Sequence, residues 1–168
     1  DRYVITRVTL KLPKEPSVKI EYPALQKVLS GSDVSPQQVS EAVCSIRRSK
    51  LPDPALIPNA GSFFKNPVVD DAQRQTLQLE HPQLVAYSLE DGTSKLAAGW
   101  LIEATGLKGF QQGSVGVHMD QALVLVNNGD SENEEQRGKD LLALAELVKK
   151  KVFEKFQVNL EMEPRVYP

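Results

Sequence analysis

Gly61-Ser62-Phe63-Phe64-Lys65-Asn66-Pro67 follows neither the helical nor the strand period, yet it sets a hydroxyl, an ammonium and an amide between a glycine and a proline. Gly61 lets the backbone approach a ligand closely, and Pro67 fixes the exit of the turn. Between them Ser62 can donate a proton, Lys65 can neutralise an anion, and Asn66 can donate or accept hydrogen bonds. Two readings are open from these residues alone. The segment is a ligand-binding loop, or it is a surface loop pinned by two core phenylalanines, because Gly, Ser, Asn and Pro are ordinary loop punctuation.

The surroundings of this stretch read as alternating short strands and helices. Upstream, Tyr3 to Leu12 is rich in β-branched residues, with Val8, Leu10 and Leu12 alternating with polar neighbours as in a half-buried strand; Val18 to Tyr22 is a shorter extended piece. Ser35-Pro36-Gln37-Gln38 starts a helix with a serine cap, a first-turn proline and a glutamine reaching back. Val39, Ala42, Val43 and Ile46 form its apolar face, Arg47, Arg48 and Lys50 suit its C-terminal end, and Pro52 stops it. Downstream, Asp70 or Asp71 caps a helix ending near His81-Pro82, and Asp91-Gly92 is a hairpin tip. Leu96 to Ala104 reads as a helix with Gly106 at its C-cap, and Ala122 to Val126 as a buried strand. Asn127 to Asp130 is a loop, Glu134 to Phe156 the longest helix, and Val158 to Tyr167 a closing strand. Gly109, Gly113 and Gly116 do not have dinucleotide-fingerprint spacing, and no phosphate-binding P-loop motif is present. The pattern is that of an α+β fold, a small mixed or antiparallel sheet covered by helices.

The bulk numbers exclude several classes. A chain of 168 residues suffices for one domain with a real core or two small lobes. Lys and Arg total 20 against 22 Asp and Glu, a formal charge of −2, which argues against a general nucleic-acid surface. No apolar run approaches the roughly 20 residues of a membrane helix, so no membrane role is expected. Cys44 is the single cysteine and cannot form an internal disulfide, which fits a reducing compartment; beside Val43 and Ile46 it is expected to be a buried structural thiol. His81 and His118 lack metal-ligand spacing, so no metal site is expected, and no Ser-His-Asp pattern suggests hydrolysis.

Several motifs in order resemble one family. Lys50-Leu51-Pro52-Asp53-Pro54, Asn59 through Pro67, Lys95-Leu96-Ala97-Ala98-Gly99-Trp100-Leu101-Ile102 and Gln121 through Asn127 resemble the UDP-N-acetylenolpyruvoylglucosamine reductases of peptidoglycan synthesis, and the resemblance runs the length of the chain. It implies a cytoplasmic, monomeric, FAD- and NADPH-dependent oxidoreductase acting on a UDP-sugar, with this chain as a C-terminal fragment. Residues 1–22 would end the FAD-binding part and form a connecting strand that belongs to or borders it; residues 23–168 would be the substrate-binding domain. The family's flavin half, with its glycine-rich loop and a Tyr-Arg pair, has no counterpart here, so the fragment is expected to hold no cofactor and to be inactive alone.

The chemistry implied is hydride transfer from reduced flavin to C3 of an enolpyruvyl ether, with a serine protonating C2. The resemblance puts Ser62 on the proton donor. It puts Glu163, in Leu160-Glu161-Met162-Glu163-Pro164-Arg165, on the glutamate that polarises the substrate carboxylate, in a register resting on Glu161, Glu163 and Arg165, with Met162 in place of the family's proline. Arg165 falls on the flavin side. Lys50, Asn66 and Gln121 match positions that bind the UDP portion, and Lys65 adds to the same field. Tyr22 aligns with a loop tyrosine that closes over substrate, and Tyr87 with one at the nucleotide or nicotinamide site. Both tyrosines point to the family's longer form, with an insertion around residues 68–93. Two rival classes remain: a stand-alone nucleotide-sugar or protein-binding module, for which a proton donor would be idle, and a different flavoprotein of the same architecture.

Overall fold

The computed structural model describes residues 3–29, 34–129 and 134–166. Asp130 and Tyr167, which the sequence assigns to a loop and a strand, lie outside these residues. The chain divides into two compact units, Asp1–Ser49 and Lys50–Pro168.

In the first unit the expected strand from Tyr3 to Leu12 is not formed. Val8, Leu10 and Leu12 are more than 70% exposed, and no ladder pairs with the segment. A strand is defined by a hydrogen-bonded neighbour, and alternation alone supplies none. The extended piece expected at Val18 to Tyr22 likewise pairs with nothing. Helix α1 (Pro23–Gln26) follows, with Pro23 at its first position. Helix α2 (Pro36–Lys50) opens with the capping box the sequence predicts: the Gln38 amide donates to Ser35 Oγ at 3.2 Å, and the Ser35 amide to Gln38 Oε1 at 2.8 Å. Val39, Ala42, Val43 and Ile46 do share one face, on which Ala42 is buried. Cys44 is exposed, against expectation. At about 100° per residue it points roughly 140° away from Val39, out of the apolar stripe.

The second unit is α+β with two antiparallel sheets. Strands β1 (Asn59–Ser62), β2 (Val68–Asp70), β3 (Ala86–Ser88), β4 (Thr93–Leu96), β5 (Gln111–Gln112), β6 (Val115–Val117) and β7 (Val124–Asn127) form a four-stranded sheet, β1-β7-β6-β5, and a three-stranded one, β2-β4-β3. Helix α3 (Asp71–Glu80) is capped by Asp70, whose carboxylate accepts from the Gln73 amide at 2.7 Å. Asp71 in its first turn bonds Arg74 and Gln75, and these contacts hold its carboxyl below the usual value. Ser94, fully buried in β4, donates to the same carboxylate and ties sheet to helix. The β3–β4 hairpin turns at Asp91-Gly92 as read, with Gly92 at φ +81 and Asp91 accepting from the Thr93 amide and hydroxyl.

Helix α4 (Ala98–Ala104) starts two residues later than the sequence suggests, because Leu96 finishes β4. Gly106 closes it at φ +82, its amide donating to the Glu103 carbonyl at 2.9 Å. The β5–β6 hairpin was not foreseen; the glycine-rich stretch that contains it turns at Gly113, φ +60. Helix α5 (Glu134–Phe156) spans the expected residues and lays Leu144, Ala145, Val148, Val152 and Phe156 into the core at three- and four-residue intervals. They pack with Phe64, Leu96, Leu101, Ile102, Val115, Val117 and Leu125 in one apolar cluster. Burying each of the larger of these side chains contributes roughly 1.5–3 kcal/mol. The closing strand predicted from Val158 reduces to a single bridge, Met162 to Phe64. Pro164, lacking an amide hydrogen, cannot extend the ladder.

Candidate active site

The site is built on an irregularity in β1. Asn59 Oδ1 accepts the Gly61 amide at 2.9 Å, while Asn59 Nδ2 donates to the Ile57 carbonyl at 2.8 Å. Gly61 takes φ +73, and a β-carbon there would meet nothing within 4 Å. Glycine is needed at this point for its backbone conformation, not for space. Asn59 pairs with Val126 but Ser62 with Val124, so β1 gains one residue on β7. This is a bulge, and it leaves Ser62 exposed at the strand's end. Among the described residues no group hydrogen-bonds the Ser62 hydroxyl.

Just beyond the bulge the chain is held on both sides. The Phe63 amide donates to the Leu123 carbonyl at 2.8 Å, and the Phe63 carbonyl accepts the Glu163 amide at 2.9 Å. The Lys65 amide donates to the Glu161 carbonyl at 2.9 Å. Phe63 and Phe64 are buried edge to face, 5.4 Å between centroids, so the two aromatics are core anchors. The segment Glu161–Glu163 thus runs antiparallel to Phe63–Lys65, and the Glu163 backbone lies one residue from Ser62. Lys65 is ion-paired with Glu161; both side chains are at least half exposed, so the pair holds Lys65 only weakly.

Two amides meet at one helix turn. Asn66 Oδ1 accepts the Ala98 amide of α4 at 2.9 Å. Gln121 Oε1 lies 3.5 Å from the Leu123 amide, and a β-carbon added to Gly99 would sit 3.5 Å from that same oxygen. Ser62, Lys65, Asn66, Gln121 and Glu163 therefore gather where β1, the loop before β7, the start of α4 and the chain's last described segment meet.

The profile of the family described as UDP-N-acetylenolpyruvoylglucosamine reductase, C-terminal domain, matches residues 53–167. The UDP-N-acetylenolpyruvoylglucosamine reductase of Pseudomonas aeruginosa is 48% identical over 170 residues, an alignment covering 99% of this chain and 49% of that protein. The chain belongs to the UDP-N-acetylenolpyruvoylglucosamine reductase family. The reductases of Chromobacterium violaceum and Polynucleobacter asymbioticus are 48% and 45% identical, each alignment covering 98% of this chain and 48% and 47% of the relative. The chain spans about half the length of the curated relatives it matches.

The other residues the reductase resemblance points to are carried by other segments. Lys50 ends α2, exposed, with no hydrogen bond or ion pair to the Ser62 segment. Tyr22 is the N-cap of α1 in the first unit and is mostly exposed. Arg165 is exposed, two residues past Glu163. Tyr87 is exposed on the edge strand β3, directly across from Lys95, which also opposes Val68. The sequence reading passed over Lys95 as a site residue. In Thr93-Ser94-Lys95-Leu96 polar residues adjoin, so no alternation in the sequence marks Lys95 as the outward-facing one; its exposure between buried Ser94 and Leu96 follows from the β4 pairing. A cleft of about 520 Å³ also escaped it, lined by residues 55–58 and 127–129 with Arg137, at the other end of the β1–β7 pair from Ser62. Among the described residues no group of three or more His, Cys, Asp or Glu gathers as metal ligands, and no helix is long and apolar enough to cross a membrane.

Proposed function

We propose that this chain is the substrate-binding part of an FAD- and NADPH-dependent reductase that converts UDP-N-acetylglucosamine enolpyruvate to UDP-N-acetylmuramate in peptidoglycan synthesis, as a cytoplasmic monomer. The observation that carries the reading is Ser62, exposed on a glycine bulge with Glu163 bonded beside it, in a chain 48% identical to a named reductase. Ser62 donates the proton to C2 of the enolpyruvyl group as its double bond is reduced. An ordinary serine is a very weak acid, so placement and neighbouring charge carry the step. Glu163 faces the substrate carboxylate region. Lys50, Lys65, Asn66 and Gln121 meet the diphosphate, and Tyr22 and Tyr87 cover sugar and base, with Lys95 beside Tyr87 as a further cation.

The glycine-rich stretch from Gly109 to Gly116 does not have the form of a flavin-phosphate loop. Gly113 is spent on the β5–β6 turn, and at Gly116 in β6 a β-carbon would fall 2.3 Å from the Gln111 side chain, so this glycine-rich stretch serves sheet packing rather than a phosphate cradle. FAD and NADPH are therefore assigned to the half of the relatives that this chain does not span, and Arg165 to the edge facing it. The test is a two-dimensional NMR titration with UDP-N-acetylglucosamine. Shifts centred on Lys50, Asn66, Tyr87 and Gln121, weakened by Lys50→Ala, are expected; a folded chain without shifts would refute autonomous substrate binding. Steady-state NADPH oxidation by this chain with added FAD would refute its dependence on the other half.

A further inference from the structure

We propose that Asn59 is a positioning residue: by bridging the Ile57 carbonyl and the Gly61 amide it fixes where β1 carries its extra residue, and so which face of the sheet Ser62 presents. The inference rests on the reading of Ser62 as proton donor. Two backbone bonds to β7 and the loop before it frame the irregular stretch. The Pro58 carbonyl accepts the Asn127 amide at 3.0 Å, and the Phe63 amide donates to the Leu123 carbonyl at 2.8 Å. Between these bonds β1 runs through residues 59–62 and β7 through residues 124–126, so four residues face three. Successive side chains alternate between the two faces of a sheet, and cross-strand partners share a face. Asn59 and Ser62, opposite Val126 and Val124, therefore lie on one face. Leu125, between those valines, points to the other and belongs to the core cluster. By strict alternation Ser62, three residues after Asn59, would point to the Leu125 side. The extra residue returns it to the Asn59 side.

Asn59 decides which position absorbs that residue. Its half-buried carboxamide spans the irregularity, Oδ1 accepting the Gly61 amide at 2.9 Å and Nδ2 donating to the Ile57 carbonyl at 2.8 Å. An N–H can be received only by the carboxamide oxygen, and a carbonyl can be served only by the NH2, so both bonds demand the same orientation of the group. The oxygen engages the Gly61 amide within β1 and turns the chain at the residue that takes φ +73 without steric cost. With alanine at position 59 the Gly61 amide loses this acceptor, and the extra residue shifts to a neighbouring position. A slip of one residue carries Ser62 to the opposite face.

The test joins register to turnover. In this chain without ligand, Asn59→Ala loses the nuclear Overhauser contacts between Ser62 and Val124 while the Phe63 and Asn127 amides stay protected from exchange; unchanged Ser62–Val124 contacts would overturn the role. In the reductase assayed with its flavin-binding half, Asn59→Ala lowers kcat roughly tenfold and leaves KM for the UDP-sugar within about twofold, as expected for a displaced reacting group. Asn59→Asp, which keeps an acceptor for the Gly61 amide, recovers most of that loss. In a Ser62→Ala background Asn59→Ala costs nothing further. Parental kcat in Asn59→Ala would overturn the role, as would equal losses in both backgrounds or an Asp variant no better than alanine. If Asn59→Ala does not fold, Asn59→Ser takes its place: a hydroxyl makes the same turn more weakly, so kcat falls about threefold, and parental kcat overturns the role. Parental kcat in Ser62→Ala would instead remove the proton-donor reading, and this inference with it.

Discussion

Gly61 and Ser62 divide one task. The first supplies a left-handed backbone that other residues resist, and the second uses the resulting exposure. Their substitutions therefore separate cleanly. Gly61→Ala meets no steric obstacle but forces a β-carbon into φ +73, at a cost of about 1–2 kcal/mol, read from urea unfolding. Gly61→Asn is cheaper, since asparagine tolerates that region. Ser62→Ala removes an exposed hydroxyl with no partner among the described residues and leaves stability within about 0.5 kcal/mol. In the reductase proposed above, assayed with its flavin-binding half, the same substitution is expected to lower kcat roughly 100-fold or more; undiminished turnover would exclude Ser62 as proton donor. The two phenylalanines that follow show why the heptapeptide was open to two readings. Phe64 is 1% exposed and Phe64→Ala costs about 3–5 kcal/mol, so the loop is pinned by core aromatics and still presents polar groups. Its neighbour's role was less legible: Asn66 reads as a ligand-binding amide, and that its oxygen caps a helix 32 residues away is a tertiary fact with no local trace.

Elements were readable where their signal is local. The capping box of α2 and the Asp70 cap of α3 are set by side chains within four residues of each other, and both stand as the sequence implies. Most strands were not, although the buried strand read at Ala122 to Val126 stands as β7. Each has two to four residues, too few for alternation to register, and the β5–β6 hairpin hides in a segment whose glycines look like loop. That only antiparallel ladders form, and that they split into two sheets, depends on pairings such as β1 with β7 across more than 60 residues. Helix α3 carries a pH dependence of its own. Arg74 and then Gln75 lower the folded pKa of Asp71 below the unfolded value near 3.9. A depressed carboxyl contributes stability that is fully present above that value and is lost as pH falls through the folded one. Asp71→Asn therefore lowers the melting temperature at pH 7, and its difference from the parent shrinks below about pH 4. A difference constant from pH 7 to 2.5 would show that the charge is not what matters.

At the scale of the whole molecule the apolar material is unevenly distributed. Every member of the core cluster lies between Phe63 and Leu160, within the second unit, while Tyr3, Val4, Ile5, Val8, Leu10 and Leu12 of the first are more than 70% exposed. The alternation in that first segment reads as a strand because it has the side chains of one. What a sequence cannot carry is the partner, and an unpaired strand retains only its exposed apolar residues. Stability should follow the core. Residues 50–168 expressed alone are expected to melt cooperatively and to keep the near-ultraviolet signal of Trp100, which packs with His81 and Phe156 in that unit. Among the described residues of 1–49 only Leu25 and Ala42 are buried apolar side chains, and this segment is expected to show no cooperative transition. The same division sorts the proposed ligand contacts. Lys50, Ser62, Lys65, Asn66, Tyr87, Gln121 and Glu163 all belong to the second unit, and Tyr22 alone to the first. Removing residues 1–49 should then weaken UDP-N-acetylglucosamine binding by about as much as Tyr22→Ala does in the full chain. A much larger loss from a truncated chain that still melts cooperatively would mean that the first unit contributes contacts beyond Tyr22. A truncated chain that does not melt cooperatively would show that the core between Phe63 and Leu160 is not sufficient to fold.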